Sequence, residues 1–426
     1  MNAEIIAVGS ELLTPHRWDT NSLFITGQLN QIGIDVVCKT VVGDERNRLT
    51  EAIQLAWKRS ALVITIGGLG PTEDDVTREC AAAALGKGLH RDDTLADGIV
   101  ARFRSRGIPM PEINLRQAMV IDGADILKNP RGTAPGLWLE EGSKILILLP
   151  GPPRELRPMF ETPIVPRLQK AVPPTAIRTR VLRTTGLTES AVDERIAPFY
   201  TKYTNPVTTI LTAPGEIQIH LKSFGKDEAE ALSILDELSS QLEKVLGHRV
   251  FSTTGENLEE VVGQSLYSQK ATVAVAESCT GGLLAQRITS VPGSSCYFWG
   301  GVVCYSNTSK QDWVGVTPEA LATHGAVSSV VAKALAEGVR KQAGVTMGVG
   351  ITGIAGPDGG TSEKPVGLVY LALAVGDGTQ VLERRFIGDR ELIRWQASQT
   401  ALDMIRGALK GDSGTRDLEK VSGVRS

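Results

Sequence analysis

The stretch VAESCTGGLL, residues 275–284, sets two hydroxyl side chains and a thiol directly before two glycines. Residues 272–276 favour a β-strand and residues 283–289 favour a helix, so Ser278 is predicted to lie on a strand-to-helix turn. A hydroxyl at such a turn faces unpaired N–H groups and the positive dipole end of the helix, which stabilise an oxyanion or a phosphate. The alternative is that Ser278 or Thr280 only caps the helix, a common role for these residue types.

A serine hydroxyl becomes a good nucleophile only when a base removes its proton. Histidine is scarce in this part of the chain, since His324 alone occurs there and lies away from the predicted strand ends. The stretch YSNTSK, residues 305–310, follows a predicted strand and can bring Lys310 to the turn. A partly desolvated lysine can lose its proton and act as the base of a Ser/Lys dyad. Two alternatives stay open, a solvated Lys310 and a nucleophilic Cys279, although Cys279 can also pack inward.

Two further motifs suit an anion or a carboxamide oxygen. GVGITGIAGPDGG runs from a predicted strand into a glycine-dense loop, where Thr352, Gly353 and Gly356 offer N–H and hydroxyl donors. FIGDRELIRWQ places Arg390 and Arg394 at the start of the last predicted helix, where guanidinium groups suit a phosphate. A long mobile loop and surface solvation are the respective alternatives.

A glycine-rich turn beside carboxylates marks the N-terminal part. A predicted strand at 62–66 runs into GGLGPTEDDVTRE, so the turn lies where open α/β sheets bind ligands. Gly67, Gly68 and Gly70 lack a Cβ and let backbone amides approach a phosphate. Carboxylates beside a phosphate favour a hard cation such as Mg²⁺ between them, with helix capping as the alternative. The predicted metal ligands are Asp44, Asp74 and Asp75.

The elements that position these groups alternate along the chain. Short Val- and Ile-rich runs alternate with helix-period stretches, which predicts βαβ units and an α/β fold with a parallel sheet. A hairpin at 136–140 and 144–150 and a helix at about 154–168 close the first region. The predicted divisions are an α/β domain at 1–170, a small α+β domain at 171–254, a second α/β domain at 255–412 and a flexible tail at 413–426. The second α/β domain is predicted to hold strands at 272–276, 300–305, 347–352 and 368–375.

The composition is that of a globular protein in a reducing compartment. Hydrophobic residues make up 42% of the 426 residues and charged residues 22%. A net charge of −3 offers no basic field for a nucleic-acid backbone, so no nucleic-acid partner is expected. Five scattered cysteines without a C-x-x-C pair predict free thiols and a cytoplasmic location. No run approaches the ~18 to 20 apolar residues that span a bilayer, so no membrane partner is expected.

The N-terminal motifs together resemble a known family. VGSELL, DTN, VGDE, TIGGLGPTEDDVT, RGTAPG and PGPPREL are similar to the molybdopterin-binding fold as it occurs in the CinA (competence/damage-inducible) family. The resemblance implies an ADP-ribose pyrophosphatase that needs Mg²⁺, Mn²⁺ or Co²⁺ and yields AMP and ribose 5-phosphate. It puts Asp44 and Asp75 at the acidic cation site with Asp74 adjacent, the three glycines on a phosphate loop, and Ser10, Glu11 and Asn21 on turns that face the ligand. One departure is TPHRW at 14–18, where many relatives carry a Gly-Gln turn.

The C-terminal motifs AESCTGG, CYSNTSK, HGAVSS, ITGIAGPDGG and EKPVG closely resemble the C-terminal domain of the same family, a nicotinamide mononucleotide deamidase. The resemblance implies that Ser278 attacks the carboxamide carbon, that Lys310 and Tyr305 assist proton transfer, and that water hydrolyses the acyl-enzyme. It implies no metal for this reaction and adds Thr352 to the catalytic residues. The residues expected to contact this substrate are Thr280, Gly281, Gly282, Asn307, Gly353, Gly356, Arg390 and Arg394.

The middle segment is similar to the family's small KH-like α+β domain. It lacks a G-x-x-G loop in a basic setting, so a spacer or dimer-forming role is expected rather than RNA binding. The predicted function is a two-activity nucleotide hydrolase of pyridine-nucleotide recycling that acts on nicotinamide mononucleotide and ADP-ribose as a homodimer. Two alternatives stay open: only one half is active, or the chain is a molybdopterin-binding or competence accessory protein without hydrolase activity.

Overall fold

The structure is a computed structural model that describes residues 1–171 and 175–411. They form two compact units, Met1–Arg178 with Lys222–Leu235, and Thr179–Leu221 with the described residues from Asp236 onward. The predicted α/β fold class is confirmed. The tail predicted at 413–426 lies outside the described residues.

A six-stranded sheet forms the centre of the N-terminal region. The region has eight strands, six of them in this sheet: β1 (Asn2–Val8), β2 (Asp35–Val42), β3 (Leu62–Ile66), β4 (Leu89–Arg91), β5 (Met119–Ile121), β6 (Asp125–Leu127), β7 (Gly136–Glu141) and β8 (Lys144–Leu149). The helices are α1 (Thr20–Gln31), α2 (Arg46–Arg59), α3 (Thr77–Leu85), α4 (Asp93–Ser105), α5 (Pro153–Met159) and α6 (Val165–Ala171). The sheet order is β2-β1-β3-β8-β7-β6, with β1, β2, β3 and β8 parallel. The predicted hairpin is β7–β8, and β4 pairs with β5 separately.

Strand β3 places the glycine-rich loop. Its sequence LVITI is buried throughout, as a parallel strand covered on both faces requires. Val63 packs into one core and Ile64 into the core on the other face of the sheet. The strand ends at Ile66, so Gly67 begins the loop at the carboxyl edge of the sheet.

The helix predicted at about 154–168 is present but interrupted. Between α5 and α6 the chain forms a π-helical turn at Phe160–Ile164. Pro158 in α5 and Pro163 in the π-helical turn lack the N–H that a regular α-helix uses, which accounts for the departure from α geometry.

A four-stranded sheet with two helices forms the middle region. Its elements are β9 (Ala176–Thr185), α7 (Glu189–Tyr200), β10 (Val207–Ala213), β11 (Glu216–Gly225), α8 (Glu228–Leu246) and β12 (Val250–Ser252). The sheet order is β10-β11-β9-β12. Strand β10 is missing from the sequence prediction. It lies at the sheet edge with no fully buried side chain, so VTTILTA lacks the apolar alternation that marks a half-buried strand.

A five-stranded sheet forms the centre of the C-terminal region. The strands are β13 (Val273–Glu277), β14 (Phe298–Val303), β15 (Met347–Gly353), β16 (Leu368–Val375) and β17 (Gly378–Arg385). The helices are α9 (Leu258–Ser268), α10 (Leu283–Thr289), α11 (Asn307–Val314), α12 (Pro318–His324), α13 (Ser329–Ala343) and α14 (Arg390–Leu409). The order is β14-β13-β15-β16-β17, with β13 parallel to both β14 and β15. The four predicted strands are present, whereas β17 and α11 are not predicted.

Two predictions about the whole chain can be compared with the structure. Within the described part, no helix is long and apolar enough to pass through a membrane. All five cysteines are free thiols, as their scattered positions predict.

Candidate active sites

Ser278 follows β13 directly and lies on the predicted strand-to-helix turn. Its backbone N–H donates to the carbonyl of Ile351 at 2.9 Å, which fixes the turn to β15. Gly281 and Gly282 have φ values of +59° and +93°, a region in which a side chain is strained. The two glycines therefore allow the chain to reverse tightly behind Ser278, whose side chain stays 8% exposed.

Lys310 reaches the Ser278 turn from α11. Ser306 caps this helix, since its hydroxyl accepts the N–H of Ser309 at 3.0 Å and the Ser309 hydroxyl accepts the N–H of Ser306 at 3.1 Å. Lys310 lies one turn into α11 and is 1% exposed. Its Nζ donates to Ser278 Oγ at 3.2 Å and to the carbonyls of Cys304 and Tyr305 at 2.7 and 3.3 Å. The structure thus brings the two predicted dyad residues together.

Burial sets the chemistry of Lys310. Because the charged ammonium loses its hydration there, the pKa of Lys310 lies below its ordinary value. A lower pKa makes the neutral amine easier to form, and its lone pair can accept the Ser278 proton. The predicted alternative of a solvated surface lysine is therefore wrong.

Cys279 is a poor nucleophile in this structure. Burial raises the pKa of its thiol to about 12, so almost no thiolate forms near neutral pH. Its side chain packs in the hydrophobic core of the C-terminal region. The geometry therefore favours Ser278 over Cys279 as the attacking group.

The start of α10 does not offer the free donors that the sequence predicts. The Glu277 carboxylate, 1% exposed, accepts the N–H groups of Gly282, Leu284 and Ala285 at 3.0, 3.1 and 2.8 Å. A buried carboxylate requires such partners, and the helix N-terminus supplies them. The expectation that these N–H groups face a ligand is corrected, because Glu277 already uses them.

Arg390 links three predicted parts of the C-terminal site. Its guanidinium donates to the Tyr305 hydroxyl at 2.9 Å and to the Gly356 carbonyl at 2.7 Å. The Tyr305 side chain is 60% exposed and Arg390 is also exposed, so both are open to a ligand. Arg394 donates to the carbonyl of Thr280 from Nε at 3.1 Å and from Nη2 at 2.7 Å. Arg394 therefore restrains the Ser278 turn, whereas Arg390 remains available to bind a phosphate.

The other predicted C-terminal residues surround this turn at different depths. Thr352 lies at the end of β15 and donates its hydroxyl to the Ala326 carbonyl at 2.7 Å. Thr280 is fully buried, and its hydroxyl oxygen has no hydrogen-bond partner. Gly353 pairs with β16, while Asn307 is exposed on the first turn of α11. The hydroxyls of Thr352 and Thr280 thus face the protein interior rather than solvent.

A cavity of about 380 Å³ lies at the carboxyl edge of the N-terminal sheet. Its walls include the three predicted loop glycines, the three predicted aspartates and Glu11. Ser10 donates its backbone N–H to Asp44 Oδ2 at 2.8 Å, and its hydroxyl accepts the Asp44 N–H at 3.2 Å. Asn21 donates to the Gly151 carbonyl at 2.7 Å. The structure thus gathers the predicted glycines, aspartates and Glu11 around one cavity, whereas Ser10 and Asn21 lie outside its wall and bind residues of that wall.

The carboxylates of this cavity suit a hard cation in their chemistry. Asp75 Oδ2 accepts the N–H of Thr72 at 2.9 Å and its hydroxyl at 2.5 Å. A Cβ on Gly70 would lie 2.3 Å from this oxygen, so a larger residue there would displace the Asp75 carboxylate. In the described part of the chain, no three acidic, histidine or cysteine side chains form a metal-binding group by themselves. A cation at Asp44 and Asp75 would therefore take further oxygen ligands from water or a phosphorylated substrate.

Two relatives match this chain over nearly its whole length. A CinA-like protein from Solibacter usitatus is 51% identical over 415 residues, which make up 97% of this chain and 100% of the relative. A CinA-like protein from Koribacter versatilis is 53% identical over 413 residues, 96% of this chain and 100% of the relative. The chain belongs to the CinA family.

Three family descriptions match successive parts of this CinA-family chain. Residues 4–170 match "Probable molybdopterin binding domain", residues 179–252 match "Damage-inducible protein CinA KH domain", and residues 255–409 match "CinA C-terminal domain". A crystal structure of a competence/damage-inducible protein from Agrobacterium tumefaciens is 38% identical, covers 37% of this chain and 99% of its own, and has a TM-score of 0.35. The family resemblance drawn from the sequence motifs is confirmed.

Glu277 is the residue of the CinA C-terminal site that sequence reasoning overlooked. It stands inside AESCTGG, but the sequence alone indicates no role for it, because an acid at the end of a strand is usually solvated. The available signal was an acid followed within eight residues by a glycine turn and a helix start. That arrangement lets one carboxylate satisfy several N–H groups of the helix.

Replacing Glu277 by glutamine is expected to lower the free energy of unfolding by about 2–4 kcal/mol, because an amide accepts through one oxygen and its NH₂ faces donors. Urea unfolding of the full chain measures this change. The exposed Glu319→Gln variant, also in the first turn of a helix, is the control and is expected to stay within about 0.5 kcal/mol of the parent. Equal stabilities of the two variants would show that Glu277 does not hold the turn.

Proposed function

We propose that the C-terminal region of this CinA-family chain is a serine amidohydrolase that converts nicotinamide mononucleotide to nicotinate mononucleotide and ammonia. The observation that supports it most directly is the 3.2 Å hydrogen bond between Lys310 Nζ and Ser278 Oγ. Both side chains are buried, and burial favours the neutral amine that a base requires. A serine with such a base is suited to acyl transfer.

The reaction proceeds through an acyl-enzyme. Ser278 Oγ attacks the carboxamide carbon while its proton passes to the neutral amine of Lys310. The resulting ammonium donates a proton to the leaving nitrogen, the C–N bond breaks and ammonia departs. Water then attacks the ester, Lys310 takes a proton from that water and returns it to Ser278, and nicotinate mononucleotide is released.

Arg390 provides the anion contact that a nucleotide needs. Its exposed guanidinium is held between Tyr305 and Gly356, which fixes its direction before a ligand binds. A guanidinium can bind a phosphate through two parallel hydrogen bonds. Because Lys310 also contacts the Tyr305 carbonyl, the phosphate site and the dyad share one segment of the chain.

The amidohydrolase proposal is tested by measuring ammonia release from nicotinamide mononucleotide and by mass spectrometry of acid-quenched enzyme. We expect ammonia formation and a nicotinate-nucleotide adduct on the peptide that contains Ser278. Nicotinamide riboside, which lacks the phosphate, is the matched substrate control and is expected to react more slowly. An adduct confined to Cys279, or no ammonia at all, would contradict the proposal.

We also propose that the N-terminal cavity hydrolyses ADP-ribose to AMP and ribose 5-phosphate with Mg²⁺, Mn²⁺ or Co²⁺. The support is a glycine loop and several carboxylates on one cavity at the carboxyl edge of a parallel sheet. Asp44 and Asp75, with Asp74 adjacent, would hold the cation, which when bound would polarise the diphosphate and activate water. The loop glycines let backbone N–H groups approach the phosphates.

Replacing Asp75 by asparagine is expected to reduce AMP formation from ADP-ribose at least about 100-fold, because the neutral amide is a much weaker cation ligand. AMP is measured by chromatography over a range of Mg²⁺ concentrations. The exposed Asp97→Asn variant on α4 removes the same charge elsewhere and is expected to match the parent. Parent-like turnover in Asp75→Asn would exclude Asp75 as a ligand.

A further inference from the structure

A second cavity lies beside the N-terminal loop cavity and has a strongly cationic wall. It measures about 620 Å³. Thr133 and Glu155 line both cavities, so the two are contiguous. Four arginines line the second cavity, which we call the arginine cavity: Arg102, Arg106, Arg131 and Arg154.

Three separate segments supply these arginines. Arg102 lies in the last turn of α4 and Arg106 caps that helix, so the two stand one turn apart on one face. Arg131 comes from the loop before β7, and Arg154 comes from the first turn of α5. The arginine cavity is therefore produced by the fold and not by a basic run in the sequence.

The charge of the arginine cavity is unbalanced. Guanidinium groups stay protonated at all physiological pH values, so four positive charges face the cavity. Glu155 is the one carboxylate among the described residues that line it, and its Oε1 lies 4.0 Å from Arg154 Nε. Like charges held together in a concave site repel one another, and a multiply charged anion relieves that repulsion.

A buried polar network holds the loop that carries Arg131. Asn129 Oδ1 accepts the N–H groups of Arg131 and Gly132 at 3.0 and 2.7 Å, and its Nδ2 donates to Glu155 Oε2 at 2.8 Å. A Cβ on Gly132 would lie 1.8 Å from Glu155 Oε2, so only glycine permits this approach. Glu155 is 9% exposed. Its carboxylate is thus committed to the loop, and the arginines remain exposed to a ligand, apart from half-buried Arg102.

We infer that the arginine cavity binds a phosphomonoester at one end of the diphosphate substrate that the loop cavity takes. This inference rests on the proposed ADP-ribose hydrolysis and names its preferred substrate class, an ADP-ribose that carries an additional phosphate on a ribose. The acid-lined cavity repels a further phosphate, whereas the adjoining arginine cavity attracts it. A space of this volume also lies in the range that accommodates a mononucleotide-sized group.

The test compares ADP-ribose with 2′-phospho-ADP-ribose as substrates of the full chain. The parent enzyme is expected to show a kcat/KM about 10- to 100-fold higher for the phosphorylated substrate, the effect of one or two guanidinium–phosphate contacts. The double variant Arg106→Gln/Arg131→Gln is expected to lose most of this ratio. Arg104→Gln, exposed on the same helix but absent from the cavity wall, is the matched control and should keep the ratio.

A binding measurement separates this inference from the proposed hydrolysis. Calorimetric titration with adenosine 2′,5′-bisphosphate needs no turnover, and the double variant is expected to bind at least about 10-fold more weakly than the parent. If ADP-ribose is not hydrolysed but this difference is found, the hydrolase proposal fails and the arginine site stands. Equal binding by parent and double variant overturns the inference. Equal affinity of the parent for inorganic phosphate and for the bisphosphate also overturns it, because the site would then be a free-phosphate site.

Discussion

Ammonia release from nicotinamide mononucleotide is expected to fall about 10⁴- to 10⁶-fold when Ser278 is replaced by alanine, the range found when a nucleophile is removed from a comparable serine hydrolase. In the proposed mechanism Oγ both forms the acyl bond and transfers its proton to Lys310 Nζ, from which it lies 3.2 Å. A coupled ammonia assay with excess substrate measures the rate. The residual rate should be the same in every preparation of the Ser278→Ala protein. This variant should carry no acyl adduct.

Two variants make the Ser278 result interpretable. Ser268→Ala removes an exposed hydroxyl from α9 and should leave the rate at the parent level. Cys279→Ala removes the neighbouring thiol, and burial raises the pKa of that thiol to about 12. This variant should retain the dyad and its acyl adduct. If Cys279→Ala abolishes turnover and Ser278→Ala does not, the nucleophile has been assigned to the wrong residue.

The Ser278–Lys310 contact could be predicted because it follows from sheet geometry. Parallel strands place their carboxyl ends at the same edge of a sheet. The residues before Ser278 and before Tyr305 are both predicted to form strands, and these strands are parallel neighbours. What the sequence did not predict is α11, the helix that turns Lys310 inward. Its sequence NTSKQDWV is polar and short, and its start depends on the reciprocal Ser306 and Ser309 hydrogen bonds.

The features that were missed depend on contacts between distant segments. Strands β10 and β17 lie at sheet edges, where side chains on both faces remain partly exposed and the apolar period is weak. The buried role of Glu277 depends on where α10 begins relative to β13. The arginine cavity joins residues up to 52 positions apart in sequence, from Arg102 to Arg154, so no local motif marks it.

Because Glu277 occupies the N-terminus of α10, Glu277 and Arg394 are both understood as groups that hold the Ser278 turn. Glu277 takes the N–H groups that were expected to stabilise an oxyanion, and Arg394 takes the carbonyl of Thr280. The turn is therefore held from both sides by buried or half-buried charged groups, which fix Ser278 against Lys310. Pre-organisation of this kind lowers the reorganisation that a nucleophile and its base need before they react.

Lys310→Met is expected to lower ammonia release about 10²- to 10⁴-fold, the contribution of a positioned general base. Methionine has a similar length but no lone pair basic enough to accept the Ser278 proton. Lys310→Arg should fail as well, because a guanidinium does not deprotonate, whereas a role of Lys310 as a positive charge alone would let arginine substitute. Lys333→Met, which removes an exposed lysine from α13, is the control and should keep the parent rate.

The pH profile distinguishes a base from a structural lysine. Burial lowers the pKa of Lys310, so the neutral amine becomes populated below the ordinary lysine pKa of about 10.4. Since only the neutral form accepts a proton, kcat/KM of the parent should rise with pH and level off above that lowered pKa. Lys310→Met should lose this rising limb and keep a low rate that does not follow it. A rising limb retained unchanged in Lys310→Met would assign the titration to another group and remove Lys310 from the dyad.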